Sequence, residues 1–122
     1  MGLDNIWVKA KAFEGLHGDK LLDAISASQY AKDGNVLGSF RGKAYDDIMQ
    51  ALTGLTLYRE RISSKGVRYI AEELRRQWPA GWAKYYHDSV EEFLAEYKGE
   101  EDWLLGEFEK HATEDVALVG WW

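Results

Sequence analysis

The chain has 122 residues, one proline, six tryptophans and no cysteine, with a formal net charge of −6 at pH 7. That length predicts one domain able to bury a core without a metal or disulfide, and the lack of cysteine excludes disulfide frameworks, thiolate metal sites and cysteine nucleophiles. No apolar run approaches the ~20 residues of a membrane span, and the opening MGLDNIWVKAKAF has no basic region followed by an apolar stretch, so the reading is a cytoplasmic protein. Ile6 stands where a myristoylation signal at Gly2 would place Ser or Thr.

In chain order, DNIWVKAKAF alternates, with Ile6, Val8 and Ala10 on one side and Trp7, Lys9 and Lys11 on the other. This is the period of a half-buried strand. Asp19 is the expected N-cap of a helix through KLLDAISASQYAK, with Leu21, Leu22 and Ile25 on its apolar stripe. A short strand, VLGSF, follows. In GSFRGKAYDDI, the residues Tyr45, Ile48, Met49 and Leu52 fall at i, i+3, i+4 and i+7, so a helix begins between Gly42 and Tyr45, with Gly54 at its C-terminal cap. LTLYRERI reads as an extended connector.

Ser63 or Ser64 caps the next helix, whose buried face is Val67, Ile70, Ala71 and Leu74 and which ends before Pro79. AGWAKYYHD reads as a short helical turn. Ser89 and Glu92 form a capping-box pattern ahead of a stripe of Val90, Phe93, Leu94 and Tyr97. A last helix opens on EEDW and turns Trp103, Leu104, Leu105 and Phe108 inward. VALVGWW has strand composition and can pair with NIWVKA. The expected fold is a single α+β domain over residues 1–122, mostly helical with about five helices and a small antiparallel sheet that includes both ends.

Charge is unevenly distributed. Residues 41–84 carry nine basic and five acidic side chains, whereas residues 85–122 carry two basic and eleven acidic ones. Isolated exposed ion pairs stabilise by only ~0–1 kcal/mol, so stability alone does not explain such segregation, while complementary fields govern encounter and partner choice. The leading expectation is a small non-catalytic protein that binds a basic partner protein through Glu91, Glu92, Glu96, Glu100, Glu101 and Asp102. Compact size and acidity also suit inhibitors that mimic nucleic acid, including virus-encoded ones, an inference by analogy alone. Direct nucleic-acid binding is disfavoured by the net charge. Trp122 is expected to face outward from the last strand and to anchor an interface, including one with a second copy of the chain.

The alternative is a small protein that binds a nucleotide or phosphate ligand, with hydrolysis as an extension. A phosphate-binding P-loop fails here, because Gly38 to Gly42 is one residue short and Ala44 replaces the hydroxyl. A looser anion site remains, built from Arg41, Gly42 and Lys43 at the helix start, with Arg75 and Arg76 of the basic helix and with Tyr45 or Trp82 stacking on a base. The histidines show no metal-ligand spacing and no catalytic constellation emerges, so no catalytic residue, metal or cofactor is assigned. His87 beside Asp88 and Ser89 is the best local arrangement for acid–base work, but Ser89 is better explained as a helix cap.

Overall fold

The computed structural model describes residues 3–121. Trp122, the expected outward anchor, and Gly2 lie outside the described residues. Four strands form one antiparallel sheet: β1 (Asp4–Lys9), β2 (Val36–Arg41), β3 (Arg61–Ile62) and β4 (Val116–Trp121), in the order β2-β1-β4-β3. Six α-helices accompany it among the described residues: α1 (Gly18–Ala31), α2 (Asp46–Thr53), α3 (Ser64–Arg76), α4 (Ala80–Tyr85), α5 (Val90–Glu96) and α6 (Glu101–Glu109), with a 3₁₀ turn at Ala10–Phe13. The fold is therefore α+β with the first and last strands paired, as the sequence predicts, and with one helix more.

The alternation in β1 is real, but it separates two cores rather than a core from solvent. Ile6 and Val8 pack with Ala117 and Val119 of β4 and with Leu21 and Ile25 of α1. Trp7 and Leu118 face the opposite way, into a larger core with Ile48 and Met49 of α2, Val67 and Leu74 of α3, and Phe108 of α6. Trp7 is fully buried. Truncation of a ring so placed typically destabilises by about 3–5 kcal/mol. β1 is thus half-buried in sequence appearance only, since helices cover both of its faces.

Local signals decide most helix ends. Ser63 Oγ accepts the Gly66 N–H at 3.2 Å and Ser89 Oγ accepts the Glu92 N–H at 3.1 Å. Gly54 closes α2 at φ +77°, where a residue without Cβ escapes the left-handed penalty. α1 departs from expectation: it starts at Gly18 with His17 at the cap position and no side-chain cap of its own. A remote carboxylate serves instead, as Glu60 accepts the Gly18 N–H at 2.5 Å and meets His17 Nδ1 at 3.1 Å. Its neighbour Arg61 donates to the carbonyls of Phe13, at 3.0 Å, and Leu16. Residues 60 and 61 therefore clamp the loop that leads into α1.

α5 also differs from its pattern. Phe93 is buried, but Val90 and Leu94, expected beside it, are 40 % and 42 % exposed. The helix has seven residues, less than two full turns. It docks mainly on α4, through Phe93 against Trp78 and Trp82, which leaves the flanking apolar positions uncovered.

Two substitutions check this packing. Arg61→Ala leaves two carbonyls without their charged donor and is expected to destabilise the fold by about 1.5–3 kcal/mol in denaturant melts. Gly42→Ala is expected to destabilise by about 1–3 kcal/mol, because an added Cβ collides with Asn5 Oδ1 and lies 2.7 Å from Leu57 Cδ1.

Candidate functional site

The turn after β2 brings together residues that the sequence places in separate elements. Gly42 N–H donates to the Leu3 carbonyl at 3.0 Å, while Gly42 O accepts the N–H groups of Tyr45 and Asp46 at 3.0 and 2.9 Å. These bonds tie the turn to the start of β1 and launch α2. The Gly42 amide, expected as an anion donor, is consumed internally, and the residue is glycine because Asn5 and Leu57 leave no room for a side chain. Asp46 is buried and accepts from Leu57 N–H at 2.6 Å, Gln50 Nε2 at 2.6 Å and Thr56 Oγ1 at 3.1 Å. It staples the segment after α2.

Tyr45 sits on the inner side of this turn and donates its hydroxyl to the Leu104 carbonyl at 2.5 Å. Burial pushes its phenol well above the ordinary tyrosine value, so it stays a neutral donor. Its ring meets Trp103 edge-on at 5.8 Å and Phe108 at 6.2 Å. Phe40, Arg41, Tyr45, Trp103 and Glu107 line a recess with a cavity volume of about 190 Å³ between the end of β2 and α6. Trp103, expected to turn inward, is 61 % exposed and stands at the rim. Trp82, the alternative stacking residue, is fully buried and donates Nε1–H to the Leu74 carbonyl at 3.0 Å, so it offers no open ring face.

Polar groups around the recess differ in how far they are engaged. Glu107 accepts the Trp7 Nε1–H at 2.7 Å and lies 3.2 Å from Lys110 Nζ. Arg41 has an 82 % exposed side chain, and its nearest charge is Asp4, at 3.7 Å from Nε. Lys43 is exposed, with no ion pair among the described residues.

Arg75 and Arg76 do not join this group. Arg75 bridges from α3 to α6, with Nη1 at 2.6 Å from Glu101 and with Nε and Nη2 at 2.9 and 2.6 Å from Glu109. Arg76 pairs with Glu73 in a similar fork, at 3.0 and 2.6 Å. Their guanidinium groups are occupied by carboxylates of the same chain, which displaces the expectation that they hold a ligand anion. Glu101 likewise leaves the set of free acids. Glu91, Glu92, Glu96, Glu100 and Asp102 remain exposed and have no ion pair among the described residues. Val90, Leu94 and Trp103 stand among them, also exposed.

His87 adopts φ +58° just past α4, and its backbone N–H donates to the Lys84 carbonyl at 3.1 Å. With Ser89 occupied as the α5 cap, the YYHDS stretch is a chain reversal between two helices. No group of three or more His, Asp or Glu among the described residues could hold a metal ion, and no described helix is long and apolar enough to cross a membrane. No protein family model, curated protein or solved structure matches the chain.

The ion pairs and caps set the response to acid. Hydrogen bonds hold four carboxyls below their ordinary values: Asp33 by Ser28 and the Asn35 N–H, Glu60 by the Gly18 N–H and His17, Glu73 by Arg76, and Glu109 by Arg75. As pH falls through about 4, the unfolded chain takes up protons that the folded chain still refuses. The stability these groups contribute is therefore complete above the ordinary carboxylate range and is lost below it. Melting temperature is expected to fall between pH 7 and pH 3, and less steeply for Glu109→Gln; equal slopes for the two proteins would refute the Arg75–Glu109 contribution.

Proposed function

We propose that the protein is a non-catalytic interaction module that binds a basic partner protein through the outer faces of α5 and α6. The observation that carries this reading is the set of exposed acids without an internal counter-charge, Glu91, Glu92, Glu96, Glu100 and Asp102, interspersed with exposed Val90, Leu94 and Trp103. Clustered charge of one sign speeds association with a surface of the opposite sign, and exposed apolar side chains within it supply the contacts that slow dissociation. The partner surface is of the kind that otherwise takes nucleic-acid phosphates, so this module competes with nucleic acid for it.

Gly106 supports the same face. It lies inside α6, three residues beyond Trp103, and a Cβ added there meets nothing within 4 Å. A helix-interior glycine is less favourable than alanine by about 0.5–1 kcal/mol, and nothing in the folded chain requires it. Close approach of another backbone would.

Two measurements test the proposal. Immobilised protein incubated with cell extract is expected to retain a basic partner at low salt and to release it at about 0.5 M salt or on addition of duplex DNA. The double variant Glu92→Lys with Glu96→Lys should retain none; undiminished retention would refute the reading. Gly106→Ala is expected to raise folding stability by about 0.5–1 kcal/mol while weakening that retention.

A further inference from the structure

We infer that the recess between β2 and α6 is a second binding site, an aromatic cage for an alkylated ammonium cation such as a trimethylammonium group. The site stands on residues other than the α5–α6 acids, with Trp103 alone shared, and does not depend on the use of that surface.

Three aromatic side chains and one carboxylate line the recess: Phe40, Tyr45, Trp103 and Glu107. Trp103 meets Tyr45 with ring centroids 5.8 Å apart. Trp103 and Glu107 are four residues apart on α6 and so share one face of that helix. Glu107 accepts the Trp7 Nε1–H at 2.7 Å, and the Trp7 ring lies 5.7 Å from Phe40. The carboxylate is also felt at Tyr45, whose phenol is raised first by burial and further by Tyr86 and Glu107. Arg41 belongs to the lining as well, but its pairing with Asp4 across β1 and β2 and the 3.7 Å contact to the Asp4 carboxylate put its side chain on the α1 face of the sheet, away from these rings.

The inclination of the walls sets the shape of the ligand. Trp103 stands at 70° to Tyr45, and Phe108, only 21° from Tyr45, stands at 70° to Phe40. The corner between two steeply inclined rings is bounded by a face of each. It suits a compact, rounded head better than a flat ring, which prefers an offset parallel wall. The volume of about 190 Å³ fits such a head, since an apolar cavity of ~150 Å³ accommodates benzene, a molecule of similar bulk to tetramethylammonium.

Ring faces and carboxylate together set the sign of the charge. An aromatic face attracts a cation, and Glu107 is the one acid of the lining. The Trp7 N–H holds one of its oxygens in place; the other lies 3.2 Å from Lys110, whose side chain is 63 % exposed. So open an ion pair is weak, and a carboxylate has about four lone-pair sites, so acceptor capacity remains beside the rings. Alkylation of the cation matters because a bare ammonium is strongly hydrated, and a recess walled mostly by rings replaces little of that water.

Titrations with choline and with a peptide carrying one trimethylated lysine, followed by tryptophan fluorescence and two-dimensional NMR, test the inference. At least one probe is expected to bind, with shifts at Phe40, Tyr45 and Trp103. Tighter binding of the peptide assigns the cation to a protein side chain, and tighter binding of choline assigns it to a free small molecule. The neutral carbon isostere of choline should bind about five-fold or more weakly, the loss expected when a cation–π attraction is removed. Trp103→Ala should weaken binding by about the same factor, with part recovered in Trp103→Phe. Glu107→Gln keeps an oxygen for the Trp7 N–H and should also weaken binding. Trp103 is exposed, so its variants test the cage even where Glu107→Gln melts early; unchanged melting of the unliganded Trp103 variants would show that their folds are intact. Absence of binding by both probes at millimolar concentration would overturn the inference. So would equal binding of the neutral isostere, preferential binding of an anion of similar bulk such as pivalate, or full affinity in Trp103→Ala. Glu92→Lys with Glu96→Lys leaves the recess untouched, so probe binding should persist in that variant even where partner retention is lost.

Discussion

The pairing of β1 with β4 is the constraint on which the rest depends. Six consecutive residues of the first strand align with six of the last, from Asp4 opposite Trp121 to Lys9 opposite Val116. Both strands lie inside the sheet, and helices cover both faces, so neither can shift by one residue without exchanging Ile6 and Val8 for Trp7 between the two cores. Trp7 makes such a slip especially costly. Its indole N–H is matched to Glu107 at 2.7 Å and its ring stacks on His111 at 4.3 Å, so register, α6 placement and the wall of the recess are set together. The contacts join residues near opposite ends of the chain, which makes closure of the sheet a non-local event that local helix formation must precede or accompany.

What could be read beforehand was whatever depends on neighbours in sequence. The α3 face of Val67, Ile70, Ala71 and Leu74 is buried as its period implies, and Ser63, Ser89 and Gly54 mark their helix ends because a cap or a left-handed glycine acts over three or four residues. The strand pairing of the two ends was also legible, from composition and alternation together. What could not be read depends on residues distant in the chain. The start of α1 is set by Glu60, 42 positions from Gly18. Leu94 fits a buried stripe on paper yet stands exposed, because periodicity reports which residues share a face and not how much of that face a neighbour covers. The recess was legible only in fragments: Arg41 and Tyr45 belonged to a recognised stretch, but the sequence assigned Trp103 to the core, and the role of Glu107 needed the third dimension.

The charge asymmetry of the sequence resolves into two regimes in the fold. Where α3 runs beside α6, Arg75 is forked between Glu101 and Glu109, and such geometry is the stronger form of an exposed ion pair. There the basic residues of 41–84 and the acidic residues of 85–122 neutralise one another at Arg75, Glu101 and Glu109. α5 lies outside that contact, docked on α4. The one basic residue of α4, Lys84, makes no ion pair with an acid of α5 among the described residues. The same linear excess of acid is therefore structural at Glu101 and Glu109 of α6 and uncompensated on α5. Position relative to Arg75, and not acidity as such, separates the two.

Trp103 is where the two surfaces meet, and its environment explains why it can be exposed at all. An indole left largely in water forgoes burial worth roughly 25 cal/mol for each Å² of apolar area, and the core beside it already holds Tyr45, Phe108 and Leu104. The edge-on contact with Tyr45 fixes the ring while leaving most of it open. Because α6 is anchored from beneath by Phe108, by the Tyr45 hydroxyl on the Leu104 carbonyl and by Glu107 on Trp7, the indole is presented on a rigid support. A ring held in that way loses little freedom when something packs against it, which lowers the entropic cost of binding. The same rigidity ties the recess to the sheet through Trp7, so any ligand that engages Trp103 does so on a frame set by the pairing of the chain's two ends.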